Sequence, residues 1–175
     1  MNKTIATKKL VTIALLTAVS VVLRLLGFPQ SGTFRIELGF IPIALCGAVF
    51  GPVWGGISYV LADLVGTLCT GQIPAPTITL CKLLMGVIYG FCFYKRERNM
   101  KNILISVTLI TVFIDLIAMP LALVPIMGGK SFWSILTSRI WASLVNVPLR
   151  VGTLFLTFKY LGNFITKEAE KYGHR

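Results

Sequence analysis

Asp63, Lys82, Asp115, Arg139 and Arg150 each interrupt a long apolar run, while Arg24, Arg35 and Glu37 stand where such runs end or begin. If those runs cross a membrane, each buried charge costs at least about 2.5–3.5 kcal/mol on insertion scales, so it is kept for a pairing or for a function. Arginine makes paired, planar contacts to carboxylates, and a cluster of these cations suits an anionic ligand. The competing readings are also physical. Arg24 and Arg35 can snorkel to lipid phosphates or pair with Glu37. Asp63 and Asp115 can pair with Lys82, Arg139 or Arg150, and for Arg150 a structural pairing is the favoured reading.

The residues that usually carry catalysis are scarce. The single histidine, His174, is in the C-terminal tail. The four cysteines, Cys46, Cys69, Cys81 and Cys92, fall in apolar stretches without a CxxC pair and read as buried free thiols. No metal-ligand spacing is present, so the sequence implies no catalytic residue, no metal and no cofactor.

Two properties say what must position the charges. Of 175 residues, 55% are hydrophobic and 13% charged, with mean hydropathy +0.83. A soluble domain carries roughly a quarter charged residues, so these charges are too few to cover a water-facing surface. The expected fold is therefore all-α, a single membrane domain over 1–175. Its six spans lie near 10–26, 36–50, 53–68, 77–94, 102–124 and 132–158, divided by loops rich in Gly and Pro. Continuous apolar runs of this length are helices rather than the alternating strands of a barrel. The net charge of +11 does not point to nucleic acid, because the positives gather at span ends. With the N-terminus in the cytoplasm, eleven Lys and Arg residues fall on the inner side and three on the outer. Both termini are thus expected to be cytoplasmic, and the protein is read as multi-pass in a bacterial plasma membrane.

That topology sets depth. Arg24, Arg35, Lys82 and Arg139 all fall toward the outer face and can converge there as a cationic cluster open to the outside. Among the aromatics, Trp133 is near the outer face, where ligand stacking and an interfacial belt are both open, Tyr59 is mid-span, and Trp54 reads as belt. Ala14 and Ala18, four apart in the first span, allow a close helix approach. Gly47, Gly51, Gly55 and Gly56 suggest tight packing around the turn between spans two and three.

The run FRIELGFIPIALCGAVFGPVWGGISYVLADLVG (residues 34–66) carries an FGP turn at Phe50 to Pro52 and ends its span in Ala62-Asp63. With PAPTITLCKLLMGVIYGFCFYKR and SRIWASLVNVPLRVGTLF, it resembles the S components of energy-coupling factor (ECF) vitamin transporters, and within them most the folate-specific S component. The resemblance covers nearly the whole chain. It implies a six-helix subunit that binds a vitamin from the outer side, in a pocket closed by the loops after spans one, three and five. It also implies partnership with one transmembrane T subunit and two cytoplasmic ATPases, which hydrolyse the ATP. The family's AxxxA contact to the T subunit falls on Ala14 and Ala18. Folate has two carboxylates and a flat pterin; Arg24, Arg35, Lys82 or Arg139 would suit the first, and Asn146, Asp63 or an aromatic group such as Trp133 or Tyr59 the second.

Other readings are an S component for pantothenate, a queuosine precursor or thiamine, although cationic thiamine fits a positive cluster poorly. A membrane enzyme would need clustered Asp or His, and only Asp63 and Asp115 are available, in different spans. A purely structural subunit is the remaining alternative.

Overall fold

The computed structural model describes residues 3–26, 38–96, 99–124 and 132–171, with side chains of 3–6 and 163–171 left aside. Among the described residues every regular element is a helix. These are α1 (Lys3–Leu26), α2 (Phe40–Phe50), α3 (Pro52–Cys69), α4 (Pro76–Phe93), α5 (Met100–Leu123) and α6 (Phe132–Lys171). Five are long and apolar enough to cross a membrane. The exception, α2, has 11 residues; at 1.5 Å per residue it reaches roughly half of a 30 Å hydrocarbon core. It starts at Phe40, inside the span expected from 36, and α6 continues past 158 to Lys171. Large exposed side chains such as Leu15, Phe91, Phe113 and Leu144 are the lipid-facing surface of such a bundle.

The turn between α2 and α3 follows from three residues. Gly51 adopts φ +96°, which a side chain would strain, and so ends α2; Pro52, with its fixed φ and no N–H, starts α3. This turn and the segment after α4 meet at the inner end, where the Tyr94 ring lies against Gly51. Lys9 of α1 arrives at the same end, its ammonium 5.6 Å from the Phe50 ring and 5.2 Å from the Trp54 ring. Trp54 is half-buried beneath it rather than standing alone as a belt residue.

Glycines weld α2, α3 and α4 together. A Cβ added at Gly47 would lie 3.0 Å from the backbone nitrogen of Gly90, and one at Gly55 would lie 2.8 Å from the Gly86 carbonyl. At Gly86 and Gly90 it would run into the backbones of Gly55 and Pro52. The tight packing expected at the α2–α3 turn is thus completed by two glycines of α4. Backbones this close maximise dispersion contacts, the main glue where no water drives association.

α5 and α6 are built differently. α5 changes from α-helix to π-helix over Ile110–Ala118 and back to α-helix at Met119. α6 carries Pro148 in its interior, which removes one backbone hydrogen bond and crowds the preceding turn. Between the two halves runs an aromatic column. Phe40 stacks on Tyr89, Tyr89 on Phe93, and Phe93 meets Phe158 at a centroid distance of 4.7 Å. All four rings are buried.

Of the cysteines, Cys46, Cys81 and Cys92 are buried, with Cys46 Sγ 3.2 Å from the Ser58 hydroxyl. Cys69 is exposed, which corrects the expectation of four buried thiols. It is the last residue of α3, on the outer rim, where nothing packs over it.

Candidate functional site

The charged residues meet in one cavity in the outer half of the bundle. α1 contributes Arg24, α3 Asp63, and α4 Ile78, Lys82 and Met85. α5 adds Asp115, Met119 and Leu123, and α6 adds a stripe from Arg139 through Ala142, Ser143 and Asn146 to Arg150. The i, i+3, i+4 spacing along α4, α5 and α6 puts each set on one helix face. Four cations face two carboxylates, so the cavity carries an excess of two positive charges.

Two ion pairs fix the frame. The Arg24 guanidinium donates to Asp63 Oδ1 at 2.6 Å, to the Asp63 carbonyl at 3.2 Å and to the Thr67 hydroxyl at 3.1 Å. The other Asp63 oxygen accepts from the Thr79 hydroxyl at 3.1 Å, so α1, α3 and α4 share one network. Gly66 makes room for it: a Cβ there would sit 2.9 Å from Arg24 Cδ. Arg24 Nε is buried without a hydrogen-bond partner. In the second pair, Arg150 reaches Asp115 Oδ2 at 2.5 Å, and its guanidinium carbon lies 5.9 Å from the centroid of the Phe40 ring. Arg150 therefore bridges α6 to α5 and α2.

Each expected site residue can now be placed. Arg24, Asp63, Lys82, Arg139 and Asn146 line the cavity together. Arg24 does not reach out to lipid; it is paired inward with Asp63, and its side chain is only 9% exposed. Asp63 pairs with Arg24, a partner the sequence reading did not offer it, and Asp115 pairs with Arg150. Tyr59 is buried below Lys82, whose ammonium lies 5.0 Å from its ring centroid. Trp133 is 72% exposed and packs edge-on against Phe132, away from the cavity wall. Arg35 and Glu37 lie outside the described residues. Ala14 and Ala18 are exposed on α1, which turns Ile13, Thr17, Ser20 and Val21 inward. Met85, Met119, Leu123 and Ser143 were not singled out by sequence. They are neutral residues in apolar runs, and only helical phase relative to Lys82, Asp115 and Arg139 could have flagged them. No group of three or more metal-ligating side chains occurs among the described residues.

A bundle of apolar helices around a charged, outward-lying cavity, with an aromatic column beneath it, defines a membrane receptor for a small polar solute. A sequence profile described as "ECF transporter, substrate-specific component" matches residues 8–163. The chain belongs to this family, whose members are substrate-binding membrane components of transporters and not enzymes, and which work with the other subunits of their transporter. It is 30% identical over 131 residues to the folate transporter FolT of Clostridium novyi, covering 74% of this chain and 76% of that one. It is 29% identical over 154 residues to the folate transporter FolT of Streptococcus mutans, covering 82% and 81%. The fold superimposes on a crystal structure of FolT bound with folic acid, with TM-score 0.76, 33% identity and coverage of 90% and 93%. It also matches a structure of the S component of a bacterial ECF transporter, with TM-score 0.70, 23% identity and coverage of 91% and 98%.

Proposed function

We propose that this chain captures folate from outside the cell and delivers it to the energising subunits of an ECF importer. The observation that carries the reading is the excess of two positive charges in the cavity, which matches the two carboxylates of a folate glutamate tail. The likeness to proteins named for folate, at 29–33% identity, supports the same ligand. In this reading Lys82 and Arg139 meet the carboxylates, and Asn146 and Asp63 offer hydrogen-bond partners to the pterin edge. Tyr59 backs Lys82. Arg24 acts mainly by orienting Asp63, since two of its nitrogens are already engaged there and at Thr67. Trp133, outside the cavity lining, would contribute only from the rim.

The partners are one transmembrane T subunit and two cytoplasmic ATPases, and the exposed Ala14–Ala18 face of α1 is where the T subunit docks. Calorimetry on the purified protein without ATP tests the ligand. Folate is expected to bind with a Kd below about 1 μM. Failure to bind folate and reduced folates alike, or displacement of folate by pantothenate at equal concentration, would reject the assignment.

A further inference from the structure

We infer that Asp115 and Arg150 form a positioning pair for ligand capture: they hold the irregular α5–α6 wall of the cavity in its binding register and act on each other rather than on the ligand. The inference rests on the cavity being the ligand site. It starts from the uneven construction of the walls. On one side α3 and α4 are backed by glycines in backbone contact, and such packing has no second arrangement within reach. On the other side, α5 supplies Asp115, Met119 and Leu123 from within and beyond the π-helical stretch Ile110–Ala118. A π-helical turn holds more residues than the 3.6 of an α-helix, so a change to α-helical bonding would rotate Met119 and Leu123 relative to the root of the helix.

A group inside the stretch points to such an alternative. Thr17, Thr67 and Thr153 each give their hydroxyl to the carbonyl four residues back, as threonines in α-helices do. Thr111, buried in the π-helical stretch, has no hydrogen-bond partner. An orphaned buried hydroxyl is a cost, and α-helical bonding would relieve it. What opposes that change is Asp115, four residues on, bound to Arg150. Arg150 stands two residues after Pro148, where α6 lacks a backbone bond. It also lies over Phe40, whose ring stacks on Tyr89 of the glycine-packed half. One guanidinium thus fastens both irregular helices to the rigid part of the molecule, immediately below the ligand.

The test uses the full-length protein in detergent with Asp115→Asn, Arg150→Gln and the double variant, which keeps the net charge of the cavity. Hydrogen exchange on ligand-free protein comes first. Each single variant is expected to raise exchange in 110–123 and 132–147 and to leave 40–93 protected. An equal rise across 40–93, or no rise in 110–123, overturns the inference whether or not folate is the ligand. Folate binding kinetics come second. Each single change is expected to weaken binding about 30-fold or more, mostly through faster dissociation. The double variant is expected to return to within about tenfold of the parent. A double variant as weak as Arg150→Gln alone would place Arg150 on the ligand and remove the positioning role. Absence of folate binding by the parent protein would reject the ligand assignment, and the exchange result would still judge the pair.

Discussion

A methyl group added at Gly86 would collide with the carbonyl of Gly55, whereas one added at Gly152, on α6, would meet open space. The contrast separates two ways of building a binding cavity in a membrane. Helices α2, α3 and α4 are held by shape, through backbones that touch, and their geometry is fixed before any ligand arrives. Charge works at the other helices: Arg24–Asp63 ties α1 to α3, while Arg150–Asp115 ties α5 and α6 to each other, and Arg150 in turn lies over the Phe40 ring of α2. Shape gives one arrangement; an ion pair gives a joint that holds until a competitor or a substitution opens it. The lesson is that a small receptor can keep a precise site and still admit its ligand by assigning the two duties to different helices.

This division can be broken from the polar side first. Asp63→Ala leaves Arg24 as an uncompensated buried charge and is expected to destabilise the protein by about 3–5 kcal/mol, read as the loss of thermal stability in detergent. Next, Gly86→Ala forces apart two backbones and is expected to cost about 3 kcal/mol, at the upper end for overpacking, with folded yield and melting temperature as the measure. If Gly86→Ala is tolerated, the glycine-packed half is not the rigid one. Gly66→Ala displaces Arg24 Cδ without touching any charge and is expected to cost about 1–3 kcal/mol. Combined with Asp63→Asn its effect should shrink, because both changes disturb the same pair; strict additivity would detach Gly66 from the network. Gly152→Ala should be neutral or stabilise by about 0.5–1 kcal/mol, since it removes only a helix-interior glycine. Ala14→Leu sharpens the comparison outside the cavity. It should leave folate affinity and melting temperature unchanged while vesicle uptake with the complete transporter falls to background. Loss of affinity would mean that α1 belongs to the site rather than to a partner.

Depth was legible in the sequence, and rotation was not. Arg24, Lys82 and Arg139 could be brought to one level because span ends fix height in the membrane and few charges compete for it. The partner of Asp63 was open because residue types and approximate heights left several cations in reach, and the choice falls to helix phase, which here brings Arg24 to it. Phase also turned Trp133 to the outside. The glycines around Gly51 announced close packing, but their counterparts Gly86 and Gly90 lie in an ordinary apolar run and show their role only once α4 is docked. Nothing in ITVFIDLIA marks a π-helix, since its hydrophobic pattern suits an α-helix as well. The short α2 was read as a full span because apolar residues precede Phe40, and composition alone does not say where the helix begins.

The stacked rings of Phe40, Tyr89, Phe93 and Phe158 have a meaning for the cell as a whole. Beneath the cavity they form an apolar plug of packed rings, which would deny protons and sodium ions an easy path through a receptor waiting for cargo. Idle copies sealed in this way would not drain the gradients on which other transport across the same membrane depends.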